Sequence, residues 1–466
     1  MSHFAFASTG KASKLLVLSE LTIVYLGFLV VCLFFYANQY EQLFSQPQLL
    51  LEIIFLPLMI VLLMLSLGLY NPRLRCGGDG VGRRLIIICS LVLVFALSLS
   101  TINAISLSFT MAASSVLLSL VMLMSFRYFV SRRFDALFRR KVLVMGAGKR
   151  AEIILQRMRR ESDKKGFNLI GFIPMPGDAE VEMGSLKLQT VDLEQPSSLI
   201  ELVKNQHIDE IVVACDERRG HLPLQALFAC KLYGVEVMDV LSFIERETGQ
   251  IAVNQLYPSW LVYSNGFVRA DSIRNIASNL LNLSLAIIIL AFLWPLLLFV
   301  MVAIYMEDKG PIFYRQTRVG YGGKPFQILK FRSMRVDAQA NGAQWAAKND
   351  CRATRIGQFM RKYHIDELPQ IFNILKGEMS FIGPRPEQPE FVERLCSQLP
   401  YYAERHNVKP GLAGWAQLKY PYGASDKDAL EKLKYDLYYV KHRNIWFDLA
   451  IFVQTIEVVC FAQGSR

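Results

Sequence analysis

The sequence predicts a membrane protein with an α plus α/β architecture, and three observations support this fold class. The 466 residues are 53% hydrophobic, which is too apolar for a protein that is soluble throughout, and five long apolar runs hold much of this content. Between the fourth and fifth runs, short strand patterns alternate with helical ones. After the fifth run, strand-like pieces and helices carry many charges, which indicates a second α/β part outside the membrane.

Four apolar runs open the chain and form a predicted transmembrane domain, residues 1–140. The runs cover residues 15–37, 49–70, 85–100 and 109–130. Most approach the roughly 20 residues that a membrane-spanning helix needs. Glu20 and Glu52 lie near the ends of runs, where a carboxylate is expected to reach the lipid headgroups.

The distribution of Lys and Arg predicts the orientation of these helices. Lys11 and Lys14 precede the first run, whereas residues 38–48 contain neither Lys nor Arg. Arginines return between the second and third runs, and six cations lie within residues 127–141. By the positive-inside rule, the N-terminus and everything after the fourth run face the cytoplasm.

Residues 141–265 are predicted to form a Rossmann-like middle domain. A strand at residues 141–145 leads into a glycine turn with Gly146, Gly148 and Ala151, and further strands are expected at 168–173, 208–214 and 235–240. The GxGxxA spacing makes Gly146 and Gly148 candidates for binding a nucleotide. The acidic residue expected after the second strand is absent, so a structural or regulatory domain is the competing interpretation.

The fifth apolar run, within residues 272–308, is predicted to be a re-entrant membrane helix. Cations flank both of its ends, at Arg269, Arg274, Lys309, Arg315 and Arg318. Positive charge on both sides disfavours a crossing, and Pro295 can break the helix midway. The alternative is an ordinary transmembrane helix with a proline kink.

Charge and cysteine content limit the classes of partner. The net charge of +11 suits an anionic lipid, a phosphorylated substrate or a nucleic acid. A nucleic acid is disfavoured because the basic residues follow apolar segments and form no recognition module. The eight cysteines are scattered singly without metal-binding spacing, which indicates reduced structural thiols.

The densest chemical signal is the adjacent pair Asp366 and Glu367. Apolar residues at helical spacing follow the pair up to Gly377, so a helix is predicted to start near Asp366 with both carboxylates at its N-terminus. With Arg361 and Arg385 nearby, the pair suggests phosphate chemistry with a divalent metal, one carboxylate attacking and the other holding the cation. The alternative is a helix-capping acid pair with surface arginines.

From about Ser272 to the C-terminus the chain resembles the bacterial polyprenyl-phosphate sugar-1-phosphate transferases. Five blocks in the same order carry the resemblance: Gly310-Pro311-Ile312-Phe313-Tyr314, Lys330-Phe331-Arg332-Ser333-Met334, Asp366-Glu367-Leu368-Pro369-Gln370, Gly383-Pro384-Arg385-Pro386 and Lys409-Pro410-Gly411-Leu412. The four preceding spans match the large undecaprenyl-phosphate glucose/galactose phosphotransferase type. The resemblance implies a mainly helical α/β catalytic domain at residues 309–466.

The resemblance also implies a reaction and its residues. A sugar 1-phosphate passes from a UDP-sugar to undecaprenyl phosphate with release of UMP, the initiating step of exopolysaccharide, capsule or O-antigen assembly. In that reaction Asp366 attacks the sugar-linked phosphorus, Glu367 holds Mg²⁺, and Arg361 meets the lipid phosphate. Lys330 and Arg385 bind substrate phosphates. The segment with Arg405, Lys409 and Gly411 is expected to be a loop over the nucleotide.

The expected setting is the bacterial inner membrane, with the catalytic domain facing the cytoplasm. The implied partners are a UDP-sugar, undecaprenyl phosphate and the lipid bilayer; a homodimer stays open, and no nucleic acid is expected. Two other functions remain as alternatives, a membrane-anchored nucleotide-binding sensor and a scaffold of polysaccharide assembly. Nothing in the sequence identifies the sugar, although the resemblance favours glucose or galactose.

Overall fold

The computed structural model describes most of the chain, which divides into two compact units, Met1–Gly249 and Gln250–Arg466. The described residues are 11–36, 47–70, 78–101, 108–133, 139–158, 166–181, 196–217, 222–255, 266–267, 272–334, 353–420, 423 and 425–460. Each unit is considered by itself below.

The first unit begins with the predicted bundle of apolar helices. The helices are α1 (Lys11–Phe35), α2 (Pro47–Ser66), α3 (Gly78–Thr101) and α4 (Phe109–Arg133). Helix α1 packs on α2 and α4, and α3 packs on the same two helices. By length and composition α1, α3 and α4 can cross a membrane, whereas the apolar part found in α2, Glu52–Ser66, is shorter. All four predicted runs are therefore helical.

Glu20 does not reach the headgroups, and that expectation is wrong. Its carboxylate is fully buried and accepts hydrogen bonds from Nε and Nη2 of Arg127 at 2.7 and 2.8 Å. Arg127 also donates to the Leu69 carbonyl and lies over the Tyr70 ring. A bidentate ion pair with further hydrogen bonds compensates the cost of burying both charges, so it links α1 to α4 within the bundle.

A four-stranded parallel sheet follows the bundle, and all four predicted strands are confirmed. The strands are β1 (Arg140–Met145), β2 (Phe167–Ile173), β3 (Glu210–Val213) and β4 (Glu236–Asp239), in the order β2-β1-β3-β4. The helices are α5 (Lys149–Arg157), α6 (Pro196–Gln206), α7 (Leu224–Leu232) and α8 (Val240–Thr248). Residues of α5 and α8 form one apolar cluster on the sheet, and residues of α6 and α7 form another. The sheet is thus covered on both faces.

The first long helix of the second unit is α9 (Ser272–Asp308), the fifth apolar run, whose segment Asn275–Glu307 is long and apolar enough to cross a membrane. The helix continues through Pro295 as one element, so the break predicted there is not an end of helical structure. A proline removes only its own N–H donor, and the adjacent turns keep their hydrogen bonds. The sidedness of the two ends stays a prediction.

The remaining elements of the second unit are short strands and helices, some of which pack against α9. They are the antiparallel hairpin β5 (Phe313–Val319) and β6 (Pro325–Phe331), α10 (Arg355–Lys362), α11 (Ile371–Leu375), β7 (Ser380–Ile382), α12 (Pro389–Gln398), β8 (Gly411–Ala413), α13 (Trp415–Lys419), α14 (Asp426–His442) and α15 (Ile445–Cys460). Phe447 and Ile451 of α15 are fully buried, which agrees with core packing of this last helix. The predicted nucleotide loop is a 3₁₀ turn, Tyr402–Asn407, followed by β8 and α13.

The acid pair lies in a 3₁₀ turn, Ile365–Gln370, that precedes α11, and not at the start of a long α-helix. His364 takes a left-handed conformation, with φ of 57°, and Pro369 lies inside the turn. Gly377 ends the segment with φ of 78°, as predicted. Because α11 has only five residues, its dipole is small, and nearby cations must supply most of the positive potential at the acid pair.

Candidate active site

Glu367 is buried and is the centre of an ion cluster. One oxygen, Oε1, accepts from Lys330 Nζ at 2.8 Å and from Arg385 Nη2 at 2.6 Å. The other oxygen, Oε2, lies 3.4 Å from Arg385 Nη1. Burial alone raises the pKa of Glu367, but Arg385 and Lys330 outweigh that effect and hold its pKa well below the usual range. Glu367 is therefore a fixed anion between two cations.

Asp366, the neighbouring acid, is set apart from this cluster. Within the described ranges no residue donates a hydrogen bond to its carboxylate. Burial and the charge of Glu367 raise the pKa of Asp366, and Lys330, His364 and Arg385 offset part of the rise. A carboxylate that is desolvated, partly exposed and held beside cations is well placed to attack an electrophile.

The strand β6 positions Lys330, and Asn373 of α11 holds that strand in place. Asn373 Oδ1 accepts from Leu329 N at 3.0 Å, and Nδ2 donates to the Gln327 carbonyl at 2.7 Å. The side-chain amide thus binds the strand edge as another strand would. Nδ2 also donates to Glu378 Oε2 at 2.7 Å. Asn373 could not be selected from the sequence, because a single Asn in an apolar helical pattern carries no distinctive spacing.

Arg385 lies in a loop whose main chain makes hydrogen bonds at Gly383, Pro384 and Pro386. The Gly383 N–H donates to Ala413, Pro384 accepts from the Gly411 N–H, and Pro386 accepts from Arg318. A Cβ on Gly411 would lie 2.1 Å from the Gly383 nitrogen. Glycine at 411 therefore lets the loop approach β8 closely, and Gly411 has a structural role whether or not a nucleotide binds beside it.

Arg405 is buried behind this loop. It donates to the Tyr402 hydroxyl and to Asp436 Oδ2, both at 2.8 Å, and to the Arg385 carbonyl at 2.9 Å. Three directed hydrogen bonds from one planar guanidinium fix its orientation. The geometry favours positioning of Arg385 by Arg405, and a direct contact between Arg405 and a nucleotide stays a prediction.

Lys409 and Arg361, the other predicted site residues, belong to different elements of the second unit. Lys409 Nζ donates to Asn279 Oδ1 of α9 at 3.1 Å. Arg361 belongs to the last turn of α10, five residues before Asp366, and its contact with a lipid phosphate stays a prediction. The structure therefore brings Lys330, Arg385 and the acid pair together, while Lys409 faces the membrane helix.

Gly146 and Gly148 form the expected turn in the first unit, but a carboxylate occupies the helix start beside it. Asp216 accepts from the N–H groups of Lys149 and Arg150 at 2.9 and 2.8 Å. These are the groups that bind a pyrophosphate in dinucleotide-binding turns. A Cβ on Gly148 would lie 2.1 Å from Asp216 Oδ2, so Gly148 leaves room for an internal anion.

The donor set is compatible with Mg²⁺, which proteins hold through one or two carboxylates together with water and substrate phosphates. Asp366 and Glu367 supply two adjacent carboxylates, and Oε2 of Glu367 has only a long contact to Arg385. Among the described residues there is no group of three or more His, Cys, Asp or Glu side chains that could hold a metal. A cation here would therefore need substrate oxygens to complete its coordination.

A family model for bacterial sugar transferases matches residues 273–462, the segment that contains the ion cluster. A UDP-glucose:undecaprenyl-phosphate glucose-1-phosphate transferase from Escherichia coli K12 is 31% identical over 333 residues, covering 68% of this chain and 67% of the relative. The chain belongs to the bacterial sugar transferase family. The five motif blocks in the sequence indicated a resemblance to this family, and these matches confirm it.

The names of two further relatives of this chain specify different sugars. A UDP-N-acetylgalactosamine-undecaprenyl-phosphate N-acetylgalactosaminephosphotransferase from Aeromonas hydrophila is 38% identical over 240 residues, 52% of this chain and 56% of the relative. A UDP-glucose:undecaprenyl-phosphate glucose-1-phosphate transferase from Xanthomonas campestris is 36% identical over 301 residues, 62% of this chain and 60% of the relative. The matches with these two relatives span less than two thirds of the relatives' own length.

Proposed function

We propose that this protein transfers a sugar 1-phosphate from a UDP-sugar to undecaprenyl phosphate, giving undecaprenyl-diphospho-sugar and UMP. The observation that carries the proposal is the arrangement of Asp366 beside Glu367, with Lys330 and Arg385 bound to Glu367. An anionic nucleophile and two cations are what phosphoryl transfer between phosphate esters requires. The names of the relatives support the two substrates, and the step would initiate exopolysaccharide, capsule or O-antigen assembly.

The transfer proceeds in two displacements at one phosphorus atom. A carboxylate oxygen of Asp366 attacks the sugar-linked phosphorus, the bond from that phosphorus to the UMP oxygen breaks, and a sugar-phosphoryl aspartate remains. A phosphate oxygen of undecaprenyl phosphate then attacks the same phosphorus and releases Asp366. Lys330 and Arg385 offset the negative charge that collects around the reacting phosphates, and Arg361 orients the lipid phosphate.

Mg²⁺ would be held by Glu367, with Asp366 nearby, and would neutralise diphosphate charge when bound. The residues of the chain have separate tasks in the same site. Glu367 keeps Lys330 and Arg385 at fixed positions, because one of its oxygens accepts from both cations. The fixed cations hold the donor phosphates in reach of Asp366.

The contacts of α9 support a re-entrant placement of the membrane helix. On the amino-terminal side of Pro295, Asn282 Oδ1 accepts from the Phe381 N–H at 2.8 Å. On the other side, Val300 and Ile304 pack in one cluster with Phe331 of β6. In a straight helix, contacts from 282 to 304 would extend over about 33 Å, more than the roughly 30 Å hydrocarbon layer. One catalytic unit contacting both halves suits a helix that enters and leaves on the cytoplasmic face of the inner membrane.

The surface beside the acid pair suits a lipid-bound acceptor. Helix α10 buries Met360 and exposes Phe359, and the neighbouring Tyr363 is also exposed. Arg361 and Lys362 lie in the same last turn. Exposed aromatic rings beside cations are typical of helices that lie on anionic headgroups. This placement lets a soluble UDP-sugar and an anchored lipid phosphate reach one site.

The middle domain is proposed to be Rossmann-like in topology and to serve a structural or regulatory role. Its parallel sheet follows a glycine turn, as in dinucleotide-binding domains. However, Asp216 already binds the N–H groups of Lys149 and Arg150, so a pyrophosphate at Gly146 and Gly148 would have to displace it. This arrangement disfavours the alternative of a nucleotide-binding sensor centred on that turn.

The direct test is UMP release by the full chain in lipid nanodiscs. UDP-glucose, UDP-galactose and UDP-N-acetylgalactosamine are each supplied with and without undecaprenyl phosphate, and the lipid product is identified by mass. At least one donor should give UMP and undecaprenyl-diphospho-sugar. Asp366→Asn should abolish the product, whereas Asp426→Asn, the same change in an exposed surface ion pair with Arg394, should not. Absence of UMP with every donor would favour a scaffold and refute the enzyme assignment.

A further inference from the structure

Glu307, in the last turn of the membrane helix α9, binds the start of helix α10. Its Oε1 accepts hydrogen bonds from the Arg355 N–H at 2.8 Å and from the Ile356 N–H at 3.3 Å. These two residues are the first of α10, and the first N–H groups of any α-helix have no partner within that helix. Helix α9 thus supplies an acceptor that α10 does not have by itself.

The next N–H groups of α10 are bonded locally. Thr354, the N-cap residue, accepts from the Gly357 N–H through Oγ1 at 2.9 Å, and its carbonyl accepts from the Gln358 N–H at 2.8 Å. The first four N–H groups of α10 therefore all have partners, and the leading two depend on Glu307. A helix of eight residues is too short to be stable by itself in water, so such contacts at its start decide how firmly it is held.

The charge of Glu307 is unfavourable for its own helix and favourable for α10. A carboxylate at the C-terminal end of a helix lies beside partly negative carbonyl groups, whereas one at an N-terminal end lies beside partly positive N–H groups. Glu307 belongs to the last turn of α9 and contacts the first turn of α10. The contact with α10 offsets the cost at α9, so the residue stabilises the junction of the two helices and not α9 alone.

Apolar packing continues this junction towards the acid pair. Ile304 of α9 and Met360 of α10 are buried in one cluster, and Ile365 and Leu368 of the turn that contains the acid pair pack against it. Glu307 lies about one helical turn beyond Ile304. The hydrogen bonds at Glu307 and the apolar cluster therefore hold α10 on α9 at two places, at its start and in its second half.

We propose that Glu307 is a positioning residue for the acceptor step, because through α10 it sets the height of Arg361 at the headgroup layer. The inference rests on the proposed function, in which Arg361 orients the lipid phosphate. Glu307 ends the apolar segment of α9, so in the proposed placement it lies where that helix leaves the hydrocarbon layer. Arg361 follows Arg355 by about 9 Å along the helix, at 1.5 Å per residue. Attachment of α10 at this level holds Arg361 beside the phosphate of undecaprenyl phosphate.

Hydrogen–deuterium exchange of the full chain in nanodiscs tests the contact without relying on activity. Glu307→Ala should speed the exchange of a peptide covering the start of α10 on the order of tenfold, the usual effect of losing a helix cap. Glu307→Gln should stay within about twofold of wild type, because its amide oxygen can accept the same two hydrogen bonds. Unchanged exchange with Glu307→Ala would refute the inference.

A comparison of the two half-reactions tests the role in the acceptor step. In Glu307→Ala the KM for undecaprenyl phosphate should rise on the order of tenfold, whereas single-turnover release of UMP without acceptor should stay within about threefold of wild type. Glu307→Gln should restore this KM. An equal loss in both half-reactions, or an unchanged KM beside faster exchange of α10, would overturn the positioning role. A wild-type chain that releases no UMP with any donor would refute the proposed function, and the acceptor role with it, while the exchange result still decides the contact.

Asp239→Ala is the matched control. Asp239 caps α8 in the first unit through the same pair of bonds, since Oδ1 accepts from the Leu241 N–H at 2.9 Å and from the Ser242 N–H at 3.3 Å. Its loss should speed exchange at the start of α8 to a similar extent and leave the KM for undecaprenyl phosphate within about twofold of wild type. An equally raised KM in Asp239→Ala would show that loss of any helix cap is sufficient, and the specific role of Glu307 would be wrong.

Discussion

Asn373 provides a sharp test of how the fold positions the active site. Asn373→Asp keeps the side-chain shape and the bond accepted from Leu329, but it removes the bonds donated to Gln327 and to Glu378. Each buried group left without its partner costs roughly 1–3 kcal/mol. The new carboxylate also repels Glu378. The free energy of unfolding should therefore fall by about 3–5 kcal/mol.

The same change should reach catalysis through Lys330, which follows Leu329 on β6. A displacement of Lys330 on the order of 1 Å should lower kcat about 100-fold, while KM for the UDP-sugar changes less. The assay is UMP release in nanodiscs at a temperature where the variant remains folded, beside an unfolding curve. Wild-type kcat in the folded variant would refute the positioning role.

A second substitution separates positioning from general destabilisation. Glu378→Gln in the Asn373→Asp background removes the repulsion and restores a donor, so kcat and stability should recover together. Gln156→Glu is the matched control, because Gln156 also donates to a nearby Glu, Glu152, at an exposed site of the first unit. It should change kcat less than twofold. Recovery of stability without recovery of kcat would place the role of Asn373 in folding alone.

Three further outcomes follow from the same structure. Arg405→Lys should lower kcat by roughly 10–100-fold with little change in KM for the UDP-sugar, because lysine cannot keep all three hydrogen bonds. A raised KM with unchanged kcat would instead indicate a direct contact between Arg405 and the nucleotide. Burial lowers the pKa of His406 from 6.5 to about 4. The free energy of unfolding should therefore fall as the pH drops from 6.5 towards 4, by up to roughly 3 kcal/mol. His406→Gln should flatten this part of the profile of unfolding free energy against pH. Membrane-impermeant labelling of Asn254→Cys and Lys324→Cys, which flank α9, should place both sites in the cytoplasm, and opposite sidedness would contradict the re-entrant helix.

Much of the fold was predictable because it depends on local periodicity. Runs of apolar residues predicted the helices of the bundle, and strand-length apolar segments predicted both ends of all four strands to within two residues. The helix at the acid pair was predicted less well. His364 in a left-handed conformation and Pro369 inside the turn favour a 3₁₀ turn, and a helical pattern of apolar residues does not distinguish it from an α-helix.

The candidate site was predictable where residues act through their own chemistry and not where they act through distant partners. Asp366, Glu367, Lys330 and Arg385 were selected from motifs, and the structure pairs Lys330 and Arg385 with Glu367, the neighbour of Asp366. By contrast, the burial of Glu20 depends on Arg127, more than 100 residues away. Such pairs leave no local pattern, because the contact exists only after the helices pack.

The burial of Arg405 shows the same limit within the catalytic unit. Its partner Asp436 lies 31 residues further along the chain. A sequence reading assigns such an arginine to a phosphate, because arginine is rarely buried without a partner. The partner becomes visible only when α14 packs behind the Arg385 loop.

The covalent role of Asp366 is the central claim, and a single-turnover measurement tests it most directly. Wild-type protein with UDP-sugar and no lipid acceptor should release about one UMP per active site and gain the mass of a sugar phosphate. Peptide mapping should locate the adduct on Asp366, and undecaprenyl phosphate should discharge it. If no adduct forms and UMP release requires both substrates to be bound, transfer is direct and the two-step account is wrong.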